Sequence, residues 1–419
     1  MQRKLLIIAN NAINAMDSNG RTLGRLLTSW PKNQLMQFCI NGTAITSDLI
    51  EKCYKISDRT VVKSLLFKKA IAAECLKPDS VETEQMKPIS AKKVKRTPFL
   101  SLVREFAWGT KLHRLEFVSL ARAFSPDIVL LQLGDAAFMV RLAAYIANQC
   151  NAKLVVFTTE DYYFKKWNYF NKGAKSLFYA LLSRYYKTIL RQKFKAVDLI
   201  VANTPYLASK YAQEFGRKTE IVMSAANQVL VTCTPNDKAN TVVYAGNLGL
   251  ERHKSLILLA KALGMIAPEM ALMIYGKQSD DVKEELSKEP NITLCGMVPY
   301  REVLEKLSGA RLVLHIESFD PFYQKDLRAA FSTKIPDCLN CGVPMLLYAP
   351  EELAETKYLQ DKKAAFICTD SNQLETILKE ALYNESSRNL MVSRAKALAQ
   401  KNHNESENAK QFYEFLMSI

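Results

Sequence analysis

Short, nearly continuous apolar runs alternate with longer segments of helical periodicity along the whole chain, and this most narrows the folds open to it. A strand with no polar face must be covered on both sides, as in parallel sheets flanked by crossover helices. The first half predicts strands at Lys4–Asn10, Gln34–Ile40, Asp127–Leu133, Lys153–Thr159, Asp198–Asn203 and Thr219–Met223. A second series is expected at Thr241–Ala245, Ala271–Tyr275, Asn291–Cys295, Arg311–Ile316, Pro344–Tyr348 and Ala364–Cys368. Thr232–Asn240 lies between them, a polar Pro/Asn stretch suited to a hinge. The 419 residues exceed what one core organises, since cores stop growing near ~250–300 residues. The expected fold is α/β: two doubly wound, Rossmann-like domains facing across a cleft. The expected division is 1–233, 241–400 and a C-terminal helix in 401–419 that packs back on the first domain. In such sheets ligands bind at the carboxyl ends of the strands.

Bulk composition is that of an ordinary globular chain, except for a net charge of +15. Its sign calls for an anionic partner: nucleic acid, membrane or phosphorylated substrate. The charge is concentrated. Residues 59–122 hold 14 basic and 6 acidic side chains, and residues 162–197 hold 9 basic, no acidic and 11 aromatic ones. Basic residues mixed with aromatics and leucines, as in the predicted helix Lys175–Lys195, suit an anionic membrane surface. A solvated basic face with inward-packed aromatics explains the same residues equally well. No nucleic-acid-binding motif is present, so nucleic acid is not the expected partner. Glu82–Lys95 reads as a surface loop between helices. Nine irregularly spaced cysteines suggest reduced thiols. The opening apolar run, Leu5–Ala9, is too short for a signal peptide core, and no run is long enough to span a membrane. A cytoplasmic location is expected, with peripheral attachment to the inner face of the plasma membrane.

The most specific chemical signal is Phe331–Pro344, which contains Ser332-Thr333-Lys334-Ile335-Pro336-Asp337. Ser332 or Thr333 can cap a helix whose amides attract phosphate, Lys334 adds a charge, and Asp337 suits ribose hydroxyls. A capped helix with a local ion pair is the competing explanation. A second signal, Tyr244-Ala245-Gly246-Asn247-Leu248-Gly249, is a strand entering a glycine loop, followed by Arg252 and a Leu-rich helix. Gly246 and Gly249 allow close approach of phosphates, and Arg252 can donate bidentately. An ordinary strand-to-helix turn accounts for the loop as well. Neither G-x-G-x-x-G nor a P-loop is present.

In order, Tyr244–Leu248, Arg252, Ile274-Tyr275-Gly276, Leu294–Tyr300, Ser332-x-Lys334-x-x-Asp337 and Gly342-x-Pro344 resemble the donor domain of GT-B glycosyltransferases. The resemblance is to the retaining family 4 group that builds bacterial surface polysaccharides. It is good over about residues 240–370 and looser in the first half, through Asn19-Gly20-Arg21-Thr22 and Phe124–Ile128. It implies a hexosyltransferase-type enzyme, retaining and metal-independent, with a nucleotide diphosphate-sugar as substrate and no cofactor. The acceptor would be a saccharide, lipid-linked and held by the first domain. Gly246, Asn247, Arg252, Ser332, Lys334 and Asp337 would bind the donor, Arg252 and Lys334 as the diphosphate pair and Asp337 on ribose. Asn19, Gly20, Arg21, Glu160 and Asp161 are the acceptor-side candidates.

One departure from the family stands out. Its usual second glutamate, eight residues before Asp337, is Ala329 here. Glu317, Asp320 and Asp135 are the candidate catalytic carboxylates; Asp326 also lies nearby. No metal set is expected: the four histidines are scattered, and Cys338-x-x-Cys341 reads as packing thiols. The competing functions are a nucleic-acid-binding protein, a sugar-nucleotide epimerase of the same fold and an inactive binding subunit.

Overall fold

A computed structural model describes residues 3–13, 18–42, 49–64, 71–76, 96–226 and 240–419. The chain divides into two compact units, Met1–Met223 with Ser406–Ile419, and Ser224–Glu405. The expected hinge and the Glu82–Lys95 loop fall almost entirely outside the described residues.

In the first unit the strands are β1 (Leu5–Ile8), β2 (Leu35–Cys39), β3 (Lys52–Lys55), β4 (Glu74–Leu76), β5 (Ile128–Leu133), β6 (Lys153–Thr158), β7 (Leu199–Ala202) and β8 (Thr219–Ile221). Its helices are α1 (Ser18–Leu26), α2 (Asp58–Ser64), α3 (Pro98–Gly109), α4 (Glu116–Phe124), α5 (Ala137–Cys150), α6 (Leu177–Lys193) and α7 (Pro205–Phe215). The sheet order is β4-β3-β2-β1-β5-β6-β7-β8, parallel except for β4. The chain first builds outward from β1 on one side and then, from β5, on the other. The topological switch therefore lies between the carboxyl ends of β1 and β5.

The second unit holds β9 (Thr241–Ala245), β10 (Ala271–Tyr275), β11 (Ile292–Gly296), β12 (Leu312–Ile316), β13 (Met345–Tyr348) and β14 (Phe366–Cys368). Its helices are α8 (Arg252–Ile266), α9 (Asp280–Leu286), α10 (Tyr300–Ser308), α11 (Pro321–Asp326), α12 (Ile335–Asn340), α13 (Ala354–Lys362), α14 (Leu374–Tyr383) and α15 (Glu385–Asn402). The order β11-β10-β9-β12-β13-β14 is wholly parallel, with its switch between β9 and β12.

The central strands are buried throughout, as their apolar runs require: β1, β7, β12 and β13 have no exposed residue. β3 and β4 were not expected. They form the sheet's margin, where partial exposure allows Lys52, Lys55 and Glu74 and erases the apolar signal. After α15 the chain returns to the first unit as α16 (Glu405–Met417). Phe412 and Leu416 enter the core formed by Leu5, Ile7, Val155 and Phe157. Tyr413 packs edge-on against Trp30 at 4.8 Å, and Arg3 Nη1 donates to the Ile419 carbonyl at 2.7 Å. Among the described residues, no helix is long and apolar enough to cross a membrane.

Candidate active site

Three neighbouring strands of the second unit, β9, β10 and β11, each reach a glycine at the carboxyl end: Gly246, Gly276 and Gly296. Gly246 N donates to Tyr275 O at 2.8 Å and Gly276 N to Gly296 O at 2.7 Å, which lashes the three ends together. Gly276 has φ of 149°, and a Cβ there would collide with the Gly246 carbonyl. A Cβ on Gly246 would collide in turn with Lys334 Nζ. Backbone excludes a side chain at Gly276, one at Gly246 would displace the Lys334 ammonium, and Gly296 has open space but a left-handed φ of 70°; bare backbone is what a phosphate chain can approach closely. Gln278, two residues past Gly276, is buried with Nε2 lacking a hydrogen-bond partner.

Lys334 lies over the row. Its ammonium sits 5.2 Å from the centre of the Tyr244 ring and 3.5 Å from the Tyr244 hydroxyl. Tyr244 OH is itself fixed by donating to Asn247 O at 3.1 Å, while Asn247 Oδ1 accepts from Gly249 N at 2.7 Å. The loop then passes through two consecutive left-handed residues, Leu250 (φ 64°) and Glu251 (φ 62°), before α8 starts at Arg252. Such backbone is sparsely populated by residues with side chains and persists only where its surroundings impose it.

Arg252 was expected to present an open fork. Instead its Nε and Nη2 are engaged by Glu317 Oε2 and Oε1, at 2.8 and 2.9 Å. Glu317 is 3% exposed just beyond β12, on the other side of the switch point. It belongs to a buried chain of charges. His315 Nε2 lies 3.6 Å from Glu317 Oε1 and 2.9 Å from Glu355 Oε1, and Glu355 Oε2 accepts from Ser332 N at 3.0 Å. Burial alone would raise the Glu355 carboxyl, but His315, the Ser332 amide and Arg252 hold it below its usual value. Burial likewise opposes the Arg252 charge, and Glu317 more than restores it. His315, Glu317 and Glu355 have the donor types of a metal site and lie within 4.8 Å. However, the carboxylates are already satisfied by a guanidinium, an imidazole and an amide, and a cation there would face Arg252. The set suits orientation of Arg252 and Ser332 better than metal binding.

The helix after Lys334 differs from expectation. α12 begins at Ile335 with Pro336 in its first turn and Lys334 as the flanking residue, and no side chain caps it. Ser332 lies two residues before the flanking position: its amide donates to Glu355 Oε2 and its Oγ accepts from Lys334 N at 3.4 Å. Asp337 is buried in the helix and accepts from Tyr300 OH at 2.6 Å, a partner 37 residues distant that sequence reasoning missed. Asp320 caps α11, its Oδ1 accepting from Phe322 N and Tyr323 N. Ala329 is buried. Cys341 Sγ donates to Cys338 O at 3.1 Å, and burial pushes the Cys341 thiol up to about 12 and Cys338 well above its normal value. These are packing thiols.

The first unit gathers a different group at its strand ends. Asp135, after β5, accepts from Arg96 at 2.7 Å and from Tyr169 OH at 3.3 Å. Asp161 is buried with Lys165 at 3.8 Å, and Lys165 lies over the rings of Tyr162 and Tyr169. The Glu160 carbonyl accepts from Thr158 and Tyr211. Asn19, Gly20 and Arg21 occupy the first turn of α1, with Gly20 buried and the Asn19 side chain outside the described ones. Gln132 Nε2 and Asn203 Oδ1, at the ends of β5 and β7, are buried without partners. Glu105 on α3, unanticipated, accepts from the first two amides of α5 at 2.7 and 2.8 Å, and burial pushes its carboxyl up to about 7.

Solved structures of similar fold match nearly the whole chain. Anabaena HepE in complex with UDP matches with a TM-score of 0.65 at 14% identity, over 99% of this chain and 100% of that one. Its fold is that of the GT-B glycosyltransferases. Sucrose-phosphate synthase of Thermosynechococcus elongatus (TM-score 0.64, 11% identity, 99% of both chains) and WaaG, a glycosyltransferase of lipopolysaccharide biosynthesis (0.56, 12%, 99% and 100%), share the GT-B fold. Residues 252–414 match a family model described as glycosyl transferase-like. Comparison with curated protein sequences gives no match.

Proposed function

We propose that this chain is a glycosyltransferase that moves a hexosyl group from a nucleotide diphosphate-sugar, bound by the second unit, to a saccharide acceptor bound by the first. The observation that carries the reading is Lys334, its ammonium laid over the Gly246 backbone at the switch point of the second sheet. A diphosphate seated on the Gly246–Gly276–Gly296 row would meet that ammonium and backbone amides, with Arg252 held nearby by Glu317. As the glycosidic bond breaks, negative charge grows on the leaving diphosphate, and these fixed donors stabilise it without reorganising. Asp337, oriented by Tyr300, would accept from the ribose hydroxyls. Gln278, with its unsatisfied amide, is a further ligand for the donor.

With a cation and amides in place at the leaving group, no metal is needed for its departure. Glu317 serves as the orienting partner of Arg252 rather than as a nucleophile. With no carboxylate at Ala329 and Asp320 committed to a cap, a front-face retaining route fits best. The partnerless Gln132 and Asn203 atoms, with Asp135, Glu160 and Asp161, suit a polyhydroxylated acceptor, for which we favour a lipid-linked saccharide of bacterial surface polysaccharide synthesis. A thermal-shift series over nucleoside diphosphates and their sugars tests the donor half, since a ligand that binds only the native state raises its apparent stability. A shift with none of them would overturn it. Product analysis separates transfer from the epimerase reading: a new glycosidic bond against a free epimerised sugar nucleotide.

A further inference from the structure

The first unit carries an apolar surface that the donor and acceptor sites leave unused. On α3 the exposed residues Phe99, Leu100, Val103 and Phe106 recur with helical spacing along one face, opposite buried Glu105 and Trp108. On α6, Leu177, Phe178 and Leu181 do the same, opposite buried Tyr179, Leu182, Tyr186 and Leu190. The two helices pack side by side, and Phe99 meets Phe178 edge-on at 5.1 Å, so the two faces merge into one patch. Phe106 is 67% and Leu177 73% exposed. Scattered single apolar residues on a surface need no explanation; seven on two adjacent helices do.

The surroundings of the patch are basic. Continuing along the exposed face of α6, the apolar residues give way to Arg184 and then Arg191, and Lys175 is exposed just before the helix. The two basic stretches of the sequence, residues 59–122 and 162–197, contain α3 and α6 respectively, so folding joins what the sequence keeps apart. Arg191 pairs with Glu214, but residues 162–197 contain no acidic side chain of their own.

We propose that this face of α3 and α6 docks the protein on an anionic lipid surface, with Phe106, Leu177 and Leu181 entering the headgroup–acyl boundary and Lys175 and Arg184 meeting lipid phosphates. The occupant is decided by charge. A protein partner would have to bring a matching acidic rim around an apolar centre, whereas an apolar face bordered by a basic, acid-free segment is the pattern of interfacial helices. The inference does not depend on the donor site, which lies in the other unit.

Flotation of the full chain with phosphatidylcholine vesicles, and with the same vesicles carrying phosphatidylglycerol, tests it. Wild type should float with the anionic vesicles, weakly with the neutral ones, and less at high salt. A Phe106→Ser/Leu177→Ser/Leu181→Ser variant should lose at least roughly 10- to 100-fold in partitioning, the range for withdrawing a single buried apolar side chain. All three residues are exposed, so the variant should unfold at the wild-type temperature. Leu258→Ser/Met265→Ser, on exposed residues of α8, should float like wild type. Wild type that ignores anionic vesicles, or a triple variant that floats as well as wild type, would overturn the proposal. So would a wild-type dimer by light scattering that the triple variant abolishes, because the patch would then cover a second copy. Nucleoside diphosphate binding, measured without lipid on the same samples, reports separately on the donor site and should be equal in wild type and variant.

Discussion

Replacing Arg252 by alanine should cost more in stability than an exposed arginine would. Its guanidinium closes a two-point fork on Glu317, whose side chain is 4% exposed against 13% for Arg252. Glu317 lies near a second buried carboxylate, Glu355, with only His315 between them. Taking away the arginine leaves Glu317 ionised, buried and short of its main counter-charge. Breaking one side of a buried ion pair costs about 3–5 kcal/mol, a large share of a total stability on the order of 5–15 kcal/mol. Replacing both partners by apolar residues of similar size, Arg252→Met with Glu317→Leu, removes the stranded charge and should recover most of the loss. Urea unfolding of the wild type, both single variants and the double variant completes a cycle whose interaction term measures the pair. Arg252→Ala within about 0.5 kcal/mol of wild type would refute the reasoning, since surface substitutions away from special features fall in that range. A double variant less stable than either single one would refute it too.

Lys334→Ala should fold normally and bind nucleoside diphosphate about 10- to 150-fold more weakly, the equivalent of one charge-assisted hydrogen bond worth ~1.5–3 kcal/mol, by calorimetric titration. Asp337→Asn and Tyr300→Phe should both narrow the preference for ribo- over 2′-deoxyribonucleoside diphosphate, the first by replacing an acceptor with a donor and the second by releasing the carboxylate. An unchanged preference in both would remove Asp337 from the ribose. His403, fully buried, donates from Nδ1 to Ser224 O and accepts at Nε2 from Tyr358 OH, and burial holds its pKa down at about 4 against an ordinary 6.5. The unfolded chain therefore binds the extra proton first. A stabilisation of about 3 kcal/mol, present above pH 6.5, should be lost as pH falls toward 4, and urea midpoints across that range should lose this slope in His403→Asn.

What the sequence made legible follows the range of the interactions. Most of the twelve expected strands were readable because burial on both faces leaves an apolar run whatever lies next to it; β8 and β11 are only partly buried. β3 and β4 were not readable, because a marginal strand such as Lys52-Cys53-Tyr54-Lys55 has no such run. Gly246, Lys334 and Asp337 stood out through local spacing. The pairings did not: Arg252 and Glu317 are 65 residues apart, Tyr300 and Asp337 are 37 apart, and His315 and Glu355 are 40 apart. Only the fold brings them together. The local signal at Ser332 pointed to a helix cap, but the helix starts only at Ile335, and the Ser332 amide instead makes a long-range bond to Glu355 that no local pattern reveals. Asp320, singled out as a catalytic carboxylate beside a loop, also precedes Pro321 at a helix start, a pairing that signals a cap. The charge maxima at 59–122 and 162–197 were plain in the sequence, yet the apolar patch they share appears only when α3 meets α6.

The central claim, a nucleotide diphosphate-sugar bound at the β9/β12 switch and cleaved there, is tested most directly by following nucleoside diphosphate release from a panel of nucleotide sugars. Wild type is compared with Lys334→Ala, each with and without chelator. The account predicts that one donor is cleaved by the wild type, that the chelator makes no difference, and that Lys334→Ala cuts the rate at least about tenfold through lost stabilisation of the leaving group. Release that is equal in Lys334→Ala and wild type, or no donor in the panel bound or cleaved, would contradict it.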